Sequence, residues 1–525
     1  MSKTHQSFPV LKPNQALLFD RPNQQWLWFE HPLQTFCATQ LDQVIPLLDE
    51  VEYHTHQQRT FAVGFVSYEA APAFDSAMHT HEENHFPLAW FGLYRQGQPI
   101  PSPPRHLLKH SRSDLPTSWL PSISRAEYTQ HLEQIRHLLK QGKTYQVNFT
   151  MRLHTQYSCM TNALFQRMIQ AQGPKHYGVW IELEHWSLCS ASPELFFEKQ
   201  GHVLRCQPMK GTAPRGRWFE EDQQHAQQLR ASIKNQAENA IIVDMVRNDM
   251  TRIAQPGTVH TPSLFDVEQY PTLWQMTSQI RCHTQAKLSE IFCALFPPAS
   301  ITGAPKISTM HIIHTLESTP RYAYTGAIGW LKPNGNAQFN IAIRTAILNK
   351  TNQCAEYSVG GGIVWDSTTR HEWQECQTKA KLLTHAPPPF QLLETMRWSP
   401  TTGILYRQQH LERIQKSAAY FGFPCSLEKL ERQLQQHIHK LRECNPNREQ
   451  ILRIRLDSQG VFHLETKSLY PLSRPYRIAF AKEPIDPQDP FLYHKTTHRQ
   501  QYDRAREAHP EADDVLLWNP NREIT

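Results

Sequence analysis

The stretch AEYSVGGGIVWDSTTRHEWQECQTKAKLL, residues 355–383, decides how the chain folds. Ala355, Tyr357 and Val359 alternate with other residues, the period of a strand with one buried face. Gly360, Gly361 and Gly362 then close the strand. Such a triplet either marks a strand-end bulge or lets the backbone approach a ligand and turn N–H groups toward an anion. From 369 the period becomes helical, with Thr369 and Glu372 placed as a capping box. Upstream, YTGAIGW (324–330) and AQFNIAIRTAIL (337–348) are further alternating runs.

Farther out, SRAEYTQHLEQIRHLLKQ (124–141) opens on a capping box of Ser124 and Glu127. Tyr128, Leu132, Ile135 and Leu139 follow at helical spacing. QVNFTMRL (146–153) switches to strict alternation through Val147, Phe149, Met151 and Leu153, a strand buried on one face. Residues 220–248 read as one long helix. This mixed order of strands and helices gives an α+β (mixed α/β) fold with a large sheet. Two Pro-rich stretches divide the chain: PIPSPPRHLL at 99–108 and HAPPPF at 385–390. They set an N-terminal lobe of about 1–105, a main part of about 120–385 and a second domain over 390–525.

The 525 residues allow two to four domains. With 39% hydrophobic and 19% charged residues, the chain is globular rather than disordered. The net charge of +6 is scattered and has no basic run with interleaved aromatics, which excludes a nucleic-acid partner. No apolar run approaches a membrane span, which excludes a membrane partner. Ten cysteines without a C-x-x-C pair suit a reducing, cytoplasmic setting, with neither disulfides nor structural zinc. The 29 histidines show no metal-ligand spacing.

Taken singly, the chemical candidates are modest. Glu375 and Lys379 lie four apart on a helix, the spacing of an ordinary ion pair. Glu238 precedes an apolar helical run and alone would be solvated. Two such carboxylates meeting in one cleft would suit Mg²⁺, which completes its octahedron with water and substrate oxygens. Arg344, in a strand run near the Gly triplet, could clamp a carboxylate. Lys210 stands in QPMKGTAPRG (207–216), a segment too rich in Gly and Pro to be helix, where a lone lysine is ordinarily solvated.

Their order is distinctive. YQVNFT, SASPELFFE, QPMKGTAPRG, AENAIIVDMVRNDMTRIAQPGTV, SITGAPK, RYAYTGAIGW, NIAIRTA, VGGGIVWDS and ECQTKA together resemble the chorismate-utilising enzymes over nearly all of 1–385. The resemblance implies a β-sandwich flanked by helices. It implies Mg²⁺ on Glu238 and Glu375, gripping one chorismate carboxylate. Tyr324, Arg344, Lys379 and the amides of Gly360, Gly361 and Gly362 would serve the substrate's other groups, with Ser300 and Thr302 lining the pocket. Glu194, in SPELF, would be the general acid/base at C4. Members that aminate at C4 carry lysine at the position of Lys210, and its amine is thought to attack C2 before ammonia enters at C4. Members that make anthranilate carry alanine there, and histidine where this chain has Gln275. The resemblance therefore implies C4 amination with ammonia from a glutamine amidotransferase partner. Anthranilate synthesis and a non-catalytic chorismate-binding role are the rivals.

After 390 the chain resembles class IV, pyridoxal-phosphate-dependent aminotransferases and lyases, through FQLLETMRWSPTTGILYRQQHLERIQKSAAYFGF. This resemblance puts Lys495, in FLYHKTTHRQQY, at the Schiff-base position. ILRIRLDSQGVFHLET reads as a hairpin turning at Asp457–Gly460. By the same resemblance the chain ends about halfway through such a domain, leaving an incomplete pyridoxal phosphate site.

Overall fold

A computed structural model describes residues 8–82, 85–101, 116, 118–156, 161–384, 389–444, 448–469 and 474–524. Residues 385–388 of the Pro-rich linker, and most of 99–108, lie outside the described residues. By its contacts the chain forms two units. The first comprises Met1–Thr212 and Leu229–Pro387, the second Ala213–Gln228 and Pro388–Thr525.

The first unit is built on two ten-stranded sheets. One runs from Gly303–Ala304 through Gln146–Gln156, Cys354–Ile363, Thr345–Asn349 and Trp186–Ser192 to the N-terminal strands. The other runs from Met209–Pro214 through Leu273–His283, Val203–Cys206, Leu195–Gln200 and Ala337–Ile341 to Phe61–Val66 and its neighbours. Gln15–Asp20 shows how each sheet is covered on both faces. Its Ala16 and Leu18 join Val63, Phe65 and Trp330 of the facing sheet, while Leu17 and Phe19 join the helix-covered core. Strands buried on both faces read as apolar runs rather than alternation. Helices Arg125–Lys140, Thr161–Gln172 and Thr369–Thr384 cover the first sheet; Leu41–Gln57 and Leu288–Leu295 help cover the second.

Several local expectations hold. Ser124 Oγ accepts from Glu127 N at 3.2 Å and Glu127 returns the bond to Ser124 N at 2.7 Å. The hairpin Gln450–Leu456/Phe462–Ser468 turns through Gly460 at φ +78°.

Others change. The single helix expected over 220–248 is two, Phe219–Ala231 and Ile233–Thr251, because Ser232 leaves the helix and caps Asn235 N. The run AQFNIAIRTAIL is two strands in different sheets, Ala337–Ile341 and Thr345–Asn349, since Arg344 takes a left-handed φ of +53°. Gly360–Gly362 do not end their strand in a bulge. They pair in unbroken register with Thr150, Phe149 and Asn148, and the strand continues to Ile363. Thr369 is the first residue of the helix Thr369–Thr384, and Glu372 is buried at 7% exposure and bonded to Ser367.

Gln146–Gln156 is also buried on its polar face. There Glu317 accepts from Thr150 N and Oγ1, both at 2.9 Å, and from Arg152 and Arg321 at 3.1 and 2.6 Å. Removing one partner of such a buried network strands the remaining charges. Glu317→Ala is expected to cost about 3–5 kcal/mol, measured as a fall in the urea midpoint. A loss below about 1 kcal/mol, the scale of an exposed pair, would mean the two guanidinium groups find other acceptors.

The second unit has a four-stranded sheet ordered Gly403–Ile404, Leu392–Ser399, Gln450–Leu456, Phe462–Ser468. Helices Arg407–Phe421 and Leu427–Cys444 pack Leu411, Ile414, Leu430 and Leu434 onto Leu392, Met396, Leu452 and Ile454.

Candidate active site

Two crossovers between the sheets position the first group of candidate residues. The chain passes from Trp186–Ser192 to Leu195–Gln200 at Glu194, and from Ala337–Ile341 to Thr345–Asn349 at Arg344. The crossovers are stitched together: Ile341 N donates to Glu194 O at 3.1 Å and Ala191 N to Arg344 O at 3.0 Å. Rigid strand ends thus carry both side chains.

Glu194 is 4% exposed and accepts a 2.8 Å bond from Ser300 Oγ. Leu195, Pro208, Val246 and Ile341 line the small cavity it shares with Ser300. Burial in these apolar surroundings pushes the Glu194 pKa up to about 7, against the lowering effects of Ser300, the Met209 amide and Lys379. Near neutrality this carboxyl can therefore hold or release a proton. Its bond to the Met209 amide also ties it to the residue preceding Lys210.

Lys210 lies in strand Met209–Pro214 at the edge of the second sheet. Its carbonyl accepts from Asn239 Nδ2 at 3.0 Å, and Ser278 Oγ fixes Asn239 Oδ1 at 2.6 Å. The next residue, Gly211, has φ +99° and accepts from Gln275 Nε2 at 2.9 Å. Gln275 thus pins the main chain next to Lys210. The Lys210 amine is 3.6 Å from Glu238 Oε2. Burial lowers its pKa; Glu238, Glu375 and Glu372 oppose that shift, while Lys379 adds to it.

The helix Thr369–Thr384 contributes Glu372, Glu375 and Lys379. Lys379 Nζ bridges Glu375 Oε1 at 2.7 Å and Gly360 O at 2.5 Å. Burial works against ionisation of Glu375, but Lys379, His371 and Lys210 outweigh it and hold its pKa below the usual value. Glu372 is raised, chiefly by burial.

The glycines serve different ends. A Cβ at Gly360 would strike Phe149 O at 2.3 Å, so the strand pairing itself demands glycine. At Gly361 it would meet Glu372 Oε2 at 2.9 Å. At Gly362 it would meet Gln146 Nε2 at 2.9 Å and Lys210 Nζ at 3.0 Å. The triplet therefore leaves room for the lysine amine and the helix carboxylates.

Arg344 Nη1 donates to Lys379 O at 3.0 Å, which couples the crossover to that helix. Thr302 is fully buried, donates to Pro298 O at 2.9 Å, and accepts from Asn148 N through its own carbonyl. Tyr324 is 5% exposed, and burial raises its pKa.

Sequence reasoning missed two residues. Glu372 was hidden by its capping-box spacing. Gln146 is buried beside Gly362, and among the described residues its Nε2 has no hydrogen-bond partner. It shares the polar face of the strand with Asn148, Thr150 and Arg152, so the sequence carried no signal for it.

Among the described residues no three metal-capable side chains converge on one point. Glu238 and Glu375 nonetheless both act on the Lys210 ammonium. Two anionic oxygen donors facing one cation suit Mg²⁺, which takes one or two protein carboxylates.

In the second unit, Lys495 lies in a cleft with Arg413, His498, Arg499 and Tyr502. Burial lowers its pKa; Glu394 opposes that shift, and Arg413, Arg499 and Arg453 reinforce it. Glu394 is engaged by Arg413 at 2.6 and 2.7 Å and by His410 at 2.7 Å. A depressed amine amid guanidinium groups fits the aldehyde and phosphate of pyridoxal phosphate.

Residues 13–385 match the chorismate binding enzyme family, and 391–525 match amino-transferase class IV. The chain is 36% identical over 273 residues to aminodeoxychorismate synthase component 1 of Salmonella typhimurium, covering 52% of this chain and 60% of that one. It is 38% identical over 215 residues to anthranilate synthase component 1 of Saccharolobus solfataricus, covering 41% and 51%. It spans 30% of the plant chloroplastic aminodeoxychorismate synthases it also matches. The solved anthranilate synthase component I of Streptococcus pneumoniae superposes with a TM-score of 0.59 at 22% identity, over 73% of this chain and 95% of that one, a likeness of fold. Among the described residues no helix is long and apolar enough to cross a membrane.

Proposed function

The chain belongs to the chorismate binding enzyme family, and from that premise we propose that it aminates chorismate at C4 to give 4-amino-4-deoxychorismate. The observation that carries this reading is Lys210: a partly buried amine whose pKa burial lowers, directly after Met209, whose amide bonds Glu194, a carboxyl raised to about 7. A nucleophile and an acid of this kind divide one difficult substitution into two easier ones.

The neutral Lys210 amine attacks C2 of chorismate. The ring double bonds shift and the C4 hydroxyl leaves as water, taking its proton from Glu194. Ammonia then adds at C4, the double bonds shift back, and the C2–N bond to Lys210 breaks. Glu194 takes up the proton lost by the incoming ammonia. The sum is chorismate plus ammonia giving aminodeoxychorismate plus water. Arg344, Tyr324, Lys379 and the Gly360–Gly362 edge orient the substrate, with Ser300 holding Glu194 and Thr302 shaping the wall. Mg²⁺, held by Glu238 and Glu375, would neutralise a substrate carboxylate. Ammonia would come from a glutamine amidotransferase subunit in the cytoplasm. In the second unit, Lys495 would hold pyridoxal phosphate in an aminodeoxychorismate lyase-like site.

The test is to incubate the chain with chorismate, Mg²⁺ and ammonium and identify the product by mass. A mass about one unit below chorismate, the difference between –OH and –NH₂, supports amination, and the NMR spectrum of that product must place the amine at C4 rather than C2. 2-Aminobenzoate with pyruvate would indicate the anthranilate reaction, and unchanged chorismate a binding role. Glu194→Gln is expected to slow amination by about 10²–10⁴-fold, the usual worth of a general acid/base. The wild-type pH–rate profile should have one limb near pH 7, set by Glu194, and the variant should lack it. Survival of that limb in the variant would assign it to another group.

A further inference from the structure

The cavity beside Glu194 has a second polar residue in its wall. Val246 and Asp249 lie one turn apart on the helix Ile233–Thr251, and both line the cavity with Glu194 and Ser300. Phe196, Leu295 and Ile341 supply apolar wall. The space is about 20 Å³. One water-sized molecule needs about 10–15 Å³, so the cavity takes one such molecule and little more.

Asp249 has an oxygen to spare for it. Lys306 Nζ donates to Asp249 Oδ2 at 3.0 Å and to Leu295 O at 3.2 Å. Among the described residues Lys306 is the one side chain bonded to Asp249, and it takes Oδ2 alone. Burial raises the Asp249 pKa against Lys306 and Arg252. A carboxylate kept this dry gains from every further donor it can engage.

The lining selects the occupant. Ionised carboxylates accept hydrogen bonds and cannot donate. Ser300 Oγ already gives its proton to Glu194 at 2.8 Å. The cavity therefore offers acceptors, and a small cation with donors all round meets them better than water, which needs donors too. In the proposed reaction Glu194 becomes a carboxylate when its proton leaves with the C4 hydroxyl. The second acceptor is thus created at the step that needs ammonia.

We propose that this cavity receives the incoming ammonium, with Asp249 and Glu194 as its acceptors, and delivers it as ammonia to C4. The inference rests on the proposed C4 amination. Glu194, ionised by the departure of water, takes one proton from ammonium. The freed lone pair forms the C4–N bond as the C2–N bond to Lys210 breaks, leaving –NH₃⁺ on C4. Chorismate plus ammonium gives protonated aminodeoxychorismate plus water, and Glu194 is protonated again for the next turnover.

The test uses the full chain with chorismate and Mg²⁺, varying ammonium and, separately, methylammonium. Asp249→Asn should raise the KM for ammonium about 10–100-fold, the worth of a hydrogen bond to a charged group, with the KM for chorismate unchanged. Val246→Ile, which adds a methylene to so small a space, should raise the ammonium KM as well. Val246→Ala enlarges the space. The wild type should refuse methylammonium, and Val246→Ala should yield the N-methyl product, found by mass; one methylene is worth about 10–200-fold in discrimination. If Asp249→Asn leaves Lys306 unpaired and fails to fold, the two Val246 variants decide. An unchanged ammonium KM in Val246→Ile, with no methylated product from Val246→Ala, would overturn the proposal. So would a rise confined to the chorismate KM, which would make the cavity part of the chorismate pocket. Failure of the proposed function looks different: the wild type then forms no aminated product at any ammonium concentration, and both readings fall. A wild type that aminates while the variants keep its ammonium KM and its selectivity sinks the ammonium site alone.

Discussion

Lys210→Ala is expected to abolish C4 amination, a loss of several orders of magnitude like other deletions of a covalent nucleophile. The substitution leaves the site's frame intact. The Lys210 carbonyl bond to Asn239 and the Gly211 bond to Gln275 are made by main-chain oxygens, which alanine retains. Glu238 loses the cation 3.6 Å away but is partly solvated, so folding should survive. The loss should therefore appear in kcat while chorismate still binds. Mass spectrometry of wild-type enzyme quenched during turnover should find substrate carbon on the peptide containing Lys210 and none in the variant. Full C4 amination by the variant would make Lys210 an electrostatic neighbour of Glu238 and remove the covalent step.

Glu375→Gln is expected to weaken Mg²⁺ and chorismate together. Loss of an outer-shell partner already costs about 10–100-fold in metal affinity, so loss of a direct carboxylate should raise the Mg²⁺ midpoint by at least about a hundredfold. The sign follows from the site. Lys379 at 2.7 Å and the nearby Lys210 hold Glu375 ionised despite burial, so the wild type presents an anion at neutral pH. Glutamine keeps the shape and removes the charge. Titration of Mg²⁺ at fixed chorismate, read by product formation and by chorismate binding, checks both halves. An unchanged Mg²⁺ midpoint would leave Glu375 as a helix ion pair with Lys379.

Much of the site could be read from the chain because its parts sit in short, punctuated segments. The period change at Gly360–Gly362 located a strand followed by a helix, and both are there. The Gly/Pro-rich segment around Lys210 was read as non-helical, and it forms strand Met209–Pro214 with Gly211 at φ +99°. What escaped depended on partners far along the chain. Nothing local to AQFNIAIRTAIL reveals that Arg344 turns left-handed and carries the strand from one sheet to the other. Glu372 has the spacing of a cap, and only the approach of Gly361 makes it a neighbour of the candidate site. The polar face of Gln146–Gln156 looked solvated because its acceptor, Glu317, lies 165 residues along the chain from Arg152. The association of 213–228 with the C-terminal unit had no periodicity to announce it.

The contact at position 362 bears on the order in which this site can change over generations. A methyl group there would press on the tips of Lys210 and Gln146, at 3.0 and 2.9 Å. Both are ends of flexible side chains, so the protein would fold almost as well while its amine moved aside. The harm is conditional on the neighbour: with a short residue at 210 the same methyl group would meet less resistance. On the proposed role of Lys210, glycine at 362 favours a useful lysine at 210, and that lysine in turn disfavours drift of the glycine. A lineage that lost the lysine first would be free to fill position 362, and the filled position would then bar the lysine's return.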